Sequence, residues 1–204
     1  MKTGELYNGM RVLSSYHRKG GVGKTFLAST IAYLLATGGP NGKGKKRRVL
    51  VLDYDSQQDS SKAFLKMDAI PGDDEYAAPL HPEIDEIADP EWSGRNTSTD
   101  ILFDSPVYEY PTAFDNIKVL PSEGNVDRVL ALTPESDRLV SKITSHMRDW
   151  FSIPDLADDY DIVIVDNPPS KSPVSAGMLG AATPVIIPTE PEYDSIDVVP
   201  MLLN

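Results

Sequence analysis

Two lysines, three glycines and a hydroxyl fall within seven consecutive residues, Lys19-Gly20-Gly21-Val22-Gly23-Lys24-Thr25, a combination suited to holding phosphate. Glycines let the backbone curl until successive N–H groups point inward at phosphate oxygens, and a helix starting directly behind them adds the positive end of its dipole. Lys24 would set a point charge against the outer phosphates, and the Thr25 hydroxyl is a natural magnesium ligand. The common form of the motif, Gly-x-x-x-x-Gly-Lys-Ser/Thr, is not met, because its first glycine would fall on Arg18. A chance glycine-rich turn would not combine the Lys-Thr pair with a strand on one side and a helix on the other.

Carboxylates supply the second set of candidates. Val49-Leu50-Val51-Leu52 runs into Asp53, with Asp55 two residues on, and Ile162-Val163-Ile164-Val165 runs into Asp166. The carboxyl end of a buried parallel strand is the ligand-binding edge of an open α/β sheet. A single aspartate in such a place is more often a turn or helix cap than a catalyst. Three of them in register with a phosphate loop outweigh that reading for Asp166, whereas the division of labour between Asp53 and Asp55 stays open. His17, His81 and His146 have no metal-ligand spacing.

These residues need a scaffold, and the hydrophobic pattern provides one. Arg11 to Tyr16 is a short β-prone run, and Lys24 to Thr37 has helical spacing, with Phe26, Leu27, Ile31, Leu34 and Leu35 forming its apolar stripe. Gly38, Gly39 and Pro40 end that helix. Further short strands are expected at Ile117 to Leu120 and Pro184 to Ile187. Helices are expected over roughly Asn125 to Phe151, broken near Pro134, around Val174 to Ala181, and from about Asp194. Continuous apolar strands alternating with helices predict an α/β fold: a doubly wound, mostly parallel sheet with helices on both faces.

The chain has 204 residues, enough for one well-packed α/β domain. It has no cysteine, which excludes disulfides, thiolate metal sites and iron–sulfur clusters. No apolar run approaches the roughly 20 residues of a membrane span, and Met1 to Met10 lacks the apolar core of a signal peptide. The expectation is a cytoplasmic protein with no membrane partner. Charge is unevenly placed. Between Asp68 and Glu109 twelve acidic residues face a single Arg95, so that segment holds −11 of the net −12. With Pro71 to Gly94 read as mostly loop, residues of about 68–116 are expected to be an acidic insertion, anchored to the core by Trp92, Tyr108 and Tyr110. The basic run Lys43, Lys45, Lys46, Arg47 and Arg48 could touch DNA phosphates, although such a run is more often a solvated loop ahead of a strand.

Lys19, immediately before Gly20-Gly21, turns the failed match into a positive one. The stretch resembles the deviant Walker A loop of the ParA/MinD/Soj superfamily of P-loop ATPases, closest to ParA-type partition ATPases. Two further blocks match in order: VLVLDYDSQ (Val49 to Gln57), with Ser56 where the family has proline, and YDIVIVDNPPS (Tyr160 to Ser170), its Walker B strand. Weaker similarity lies in Ile117 to Ser122 and in Val185 to Tyr193, the block that contains Pro188. His17 and Phe26 depart from the family's usual asparagine and second hydroxyl residue.

The resemblance implies ATP and Mg2+ as cofactors. It places Lys19, Gly20, Gly21, Val22, Gly23, Lys24, Thr25, Phe26 and Pro188 around the nucleotide, and Thr25, Asp53 and Asp166 around the magnesium. It makes Lys19, Lys24 and Asp55 catalytic, Asp55 by orienting the attacking water and Lys19 by reaching the nucleotide of a partner subunit. It implies an ATP-dependent homodimer, a centromere-binding adaptor protein and DNA held without sequence preference. The expected function is an ATP-hydrolysing dimerisation switch of plasmid or chromosome partition, with a nucleotide-gated binding module of little turnover as the alternative. The missing cysteines exclude the cluster-bearing reductase branch of the superfamily. A MinD-like membrane oscillator would need a C-terminal amphipathic helix that is not seen before Asn204. The family normally runs on past this point into segments with adenine contacts, so its C-terminal part is expected to be absent from these 204 residues.

Overall fold

The structure is a computed structural model that describes residues 6–72, 76–87, 89–90, 92–123, 136–169 and 172–189. Its centre is a six-stranded sheet in the order β5-β6-β2-β7-β1-β8. The strands are β1 (Arg11–Ser15), β2 (Val49–Asp53), β5 (Tyr110–Pro111), β6 (Ile117–Leu120), β7 (Ile162–Asp166) and β8 (Val185–Ile186). Every pairing is parallel except that of the edge strand β5 with β6. Two-residue strands β3 (Asp68–Ala69) and β4 (Tyr76–Ala77) form a separate antiparallel pair.

The sheet is covered on both faces, which is why its central strands β2 and β7 are apolar up to their closing aspartates rather than alternating. Along β2, Val49 and Val51 belong to one core cluster and Leu50 and Leu52 to the other, all of them fully buried. The first face is covered by α1 (Lys24–Thr37). The second is covered by α3 (Ser136–Phe151), through Ile143, Met147 and Phe151, and by α5 (Pro173–Ala181), through Val174 and Met178. A short α4 (Pro154–Asp159) leads into β7.

Helix α1 has the expected bounds but a different inner face. Ala28, Ala32 and Ala36, together with Lys24, are its buried residues, while Phe26 is 77% exposed and Leu27, Ile31, Leu34 and Leu35 are only half-buried. Residues four apart share one face of a helix, and here the small side chains let the helix lie close on the sheet. The large apolar residues flank that line. A comparable device joins α3 to α5. A Cβ on Gly177 would stand 2.4 Å from Ile143 Cγ2, and one on Gly180 2.7 Å from Thr144 Oγ1.

The acidic segment is less of an insertion than its composition suggests. Over 71–94 the described residues form turns and loop around the β3–β4 pair. From Asn96 onward the chain is built into the domain. A 3-10 helix at Ser98–Phe103 is capped by a reciprocal Thr97–Asp100 box, and its Ile101 lies in the core. The three aromatics act as anchors. Tyr110 is buried, its hydroxyl donating to Pro79 O at 2.8 Å and accepting from Asn96 N, and Trp92 packs on Tyr108 with ring centroids 4.5 Å apart. The helix expected between Asn125 and Phe151 is observed from Ser136. Its earlier part, the break near Pro134 and the helix expected from Asp194 lie outside the described residues.

Candidate phosphate and magnesium site

Strand order decides which residues meet. With β7 between β2 and β1, the register pairs Asp53 with Asp166 and Asp166 with Ser15, so three strand ends are level. The loop leaving Ser15 therefore rises beside both carboxylates, at the carboxyl edge where open α/β sheets bind ligands.

The loop is shaped by its glycines. Gly21 and Gly23 have φ of +81° and +85°, left-handed backbone that glycine adopts without strain. A Cβ placed on Gly20, Gly21 or Gly23 would meet nothing within 4 Å, so the loop bounds open space. Gly23 also caps α1 and offers no side chain to the N–H groups of its first turn. Those groups remain for a ligand oxygen. His17 is fully buried, and its Nδ1 accepts the Lys19 N–H at 3.0 Å, fixing the start of the curl.

Lys24 opens α1 and is only 6% exposed. Burial lowers its pKa, and the charges of Asp55 and Asp166 oppose that shift. Here a buried lysine at the end of the glycine loop lies within electrostatic reach of two carboxylates. Asp166 is fully buried, and its two oxygens differ. Oδ2 accepts from Ser60 Oγ at 2.7 Å, whereas Oδ1 has no hydrogen-bond partner among the described residues. Burial drives its pKa up to about 6, while the Ser60 hydrogen bond, the nearby Thr25 hydroxyl and the charge of Lys24 hold it down and the Asp55 charge adds to the rise. An orphaned, desolvated carboxylate oxygen beside a threonine hydroxyl fits a hydrated magnesium ion, which keeps several waters and takes few protein ligands.

Asp53 is equally buried but its oxygens are engaged. Oδ1 accepts the Asp55 N–H at 3.0 Å, and Oδ2 accepts the Ser61 N–H at 2.8 Å and the Ser61 hydroxyl at 2.7 Å. Burial and then the Asp166 charge raise its pKa to about 7. Asp55 is buried at the same edge, with its Oδ1 accepting the Gln57 N–H at 3.0 Å. Lys19 is half-buried in the loop, and Thr25 is half-buried at the start of α1, where Phe26 projects outward. Pro188 follows β8, whose Ile186 O accepts the Tyr16 N–H at 3.0 Å, so it stands beside the root of the phosphate loop. The basic loop ending at Arg48 lies ahead of β2, at the opposite end of the sheet, with Arg48 Nε 3.7 Å from Asp161 Oδ2.

Several site residues were given no role by the sequence reading. Ser60 and Ser61 sit in α2 (Asp59–Phe64), which follows β2, and are fully buried against Asp166 and Asp53. Asn167 binds β1 through its Nδ2, to Ser14 Oγ at 2.7 Å and Ser15 O at 2.9 Å. A pair of serines just past an Asp-x-Asp stretch is the only trace they leave.

A parallel sheet with a glycine loop, an invading lysine and strand-end carboxylates defines the P-loop NTPase class. A family model described as an AAA domain matches residues 10–204. The chain belongs to that family, and the family match together with its relatives assigns it to the ParA/MinD superfamily, on the side of the partition ATPases. It is 28% identical over 190 residues to the chromosome partitioning protein ParA of Myxococcus xanthus, covering 92% of this chain and 54% of that one. It thus spans about half the length of that curated relative. The fold is similar to that of a McdA–ATP complex from Cyanothece (TM-score 0.66, 20% identity, 98% of this chain and 63% of that one). It is also similar to pNOB8 ParA bound to nonspecific DNA (TM-score 0.59, 21% identity, 96% and 58%). Among the described residues no helix is long and apolar enough to cross a membrane.

Proposed function

We propose that the protein binds and hydrolyses ATP with Mg2+ and uses the nucleotide to switch between monomer and dimer in a DNA-partition system. The observation that carries this reading is the level row of Ser15, Asp166 and Asp53, with an Asp166 Oδ1 that has no hydrogen-bond partner among the described residues and Lys24 and Thr25 close enough to act on that carboxylate. The relatives support the biological setting: the M. xanthus protein is a partition protein, and pNOB8 ParA has been captured on nonspecific DNA. DNA and a centromere-binding adaptor are the partners that setting supplies.

In this reading the loop N–H groups and Lys24 hold the phosphates, and Thr25 with Asp166 holds the metal and its water. Magnesium, when bound, neutralises the outer phosphate oxygens as charge builds on them. Asp55 orients the attacking water. Asp53, held in place by Ser61 and the Asp55 N–H, helps set the magnesium shell beside Asp166. Lys19 acts on the nucleotide of the partner subunit, and Phe26 and Pro188 flank the bound molecule.

The test combines light scattering with phosphate release. The parent should dimerise with ATP and magnesium and turn over slowly, faster with DNA and adaptor. Asp55→Ala should dimerise and stay dimeric, and Lys24→Ala should bind no fluorescent ATP analogue. Unchanged analogue binding by Lys24→Ala would remove the phosphate assignment, and a monomeric Asp55→Ala under conditions that dimerise the parent would remove the water-orienting one.

A further inference from the structure

We propose that Ser60 is a positioning residue for the magnesium carboxylate: its hydroxyl holds one oxygen of Asp166 so that the other faces the metal. This rests on the nucleotide site proposed above and assigns it a residue that no motif contains.

The argument begins with the two oxygens of Asp166. The side chain is fully buried, so water cannot make up for a missing hydrogen bond. Ser60 Oγ, itself fully buried, donates to Oδ2 at 2.7 Å, a short bond of the charge-assisted kind. Oδ1 receives nothing comparable. A carboxylate tethered at one oxygen has its rotation about Cβ–Cγ set, which fixes where the second oxygen points.

The tether is itself held firmly. Next to Ser60, Ser61 donates to Asp53 Oδ2 at 2.7 Å while its Oγ accepts the Ser122 N–H at 2.9 Å. Ahead of it, Gln58 takes a left-handed backbone (φ 58°) and donates through Nε2 to Ser122 O at 2.9 Å and Tyr76 O at 2.8 Å. A residue other than glycine keeps positive φ only where its surroundings enforce it. The first turn of α2 is therefore pinned on both sides of Ser60, and two successive hydroxyls serve two different strand ends. A serine present only to cap α2 would bond the helix backbone, as Ser172 does for α5 by accepting the Ser175 N–H. Ser60 instead reaches across to β7.

Groups that orient a metal's ligands typically change metal affinity by 10–100-fold when removed. The experiment measures binding of a slowly hydrolysed ATP analogue by calorimetry, in EDTA and across a magnesium titration. Ser60→Ala should keep its affinity in EDTA within about twofold and require roughly 10-fold more magnesium to reach the metal-bound affinity. Ser60→Cys, close in volume and a weak donor, should fall between alanine and parent, and it carries the test if the alanine variant does not fold. A magnesium requirement unchanged in both variants would overturn the proposal. An equal shift in Ser61→Ala would also overturn it, because general loosening of α2 would then explain the effect. A parent that binds the analogue with no response to magnesium would instead reject the metal assignment to Asp166.

Discussion

Asp53 and Asp166 face each other across β2 and β7, paired in register, both fully buried, and each raised in pKa chiefly by burial. Such a pair costs stability while no metal ion is bound, and the sign of its pH dependence follows. Carboxyl groups with a folded pKa raised above the unfolded value hold more protons in the folded state, so stability falls as pH rises through that interval. With folded values of about 7 and about 6, the interval runs from the ordinary aspartate range to near neutrality. In EDTA the melting temperature should fall between pH 5 and pH 8. The fall should shrink in Asp166→Asn and in parent protein saturated with ATP and magnesium. An equal fall in all three samples would show that the pair is not its source.

The close crossing of α3 and α5 sets two effects of opposite sign against each other. Replacing a helical glycine by alanine gains up to about 1 kcal/mol in helix propensity. At Gly177 the new methyl would stand 2.4 Å from Ile143 Cγ2 and 2.8 Å from Ile143 Cβ, where the side chain is itself packed in the core. Overpacking of this kind costs about 1–3 kcal/mol, so the clash outweighs the propensity. Urea denaturation should show Gly177→Ala less stable by roughly 1–2 kcal/mol net. The double variant Gly177→Ala/Ile143→Val should recover part of that loss, whereas a stabilised single variant would mean that the helices separate freely.

Much of this architecture was legible in the residues, for a physical reason. Strands buried on both faces are written as unbroken apolar runs, and the runs at Val49 to Leu52 and Ile162 to Val165 became β2 and β7, each closed by its aspartate. What could not be read was contact set by topology. Nothing near Ser60 in sequence shows that β7 lies beside β2, so its bond to Asp166, 106 positions away, is invisible before the sheet is ordered. The inner face of α1 was misread because periodicity weights Phe26 and Leu27 above Ala28, while close approach to the sheet favours the alanine. Composition likewise set a charged segment apart, although its second half feeds Ile101 and Tyr110 into the core.

Lys19 offers the sharpest test of how the site works. In the proposed reading Lys24, buried and within electrostatic reach of Asp55 and Asp166, is the cation inside the loop, and a second lysine five residues earlier serves a different target. Its backbone is fixed by the bond to His17, and neither Gly20 nor Gly21 has a side chain to crowd its stem. The nucleotide of a second subunit is the target proposed for it above. A cation given in trans by arginine is worth roughly 10³–10⁵ in rate in GTPases, and lysine, which lacks the bidentate fork, should contribute less. Lys19→Ala should therefore keep monomer ATP affinity within severalfold but lose ATP-dependent dimerisation and stimulated turnover. Mixing it with Asp55→Ala distinguishes the two geometries. In the mixed dimer the Lys19→Ala subunit retains its own Asp55 and receives an intact Lys19 from its neighbour, so one of the two sites regains activity. Phosphate release should then rise as the two inactive variants are combined, towards about half the parental rate per mixed dimer on the in-trans logic. If mixed dimers form, as mass-tagged subunits would show, and still release no phosphate, Lys19 acts within its own subunit and the in-trans role is wrong.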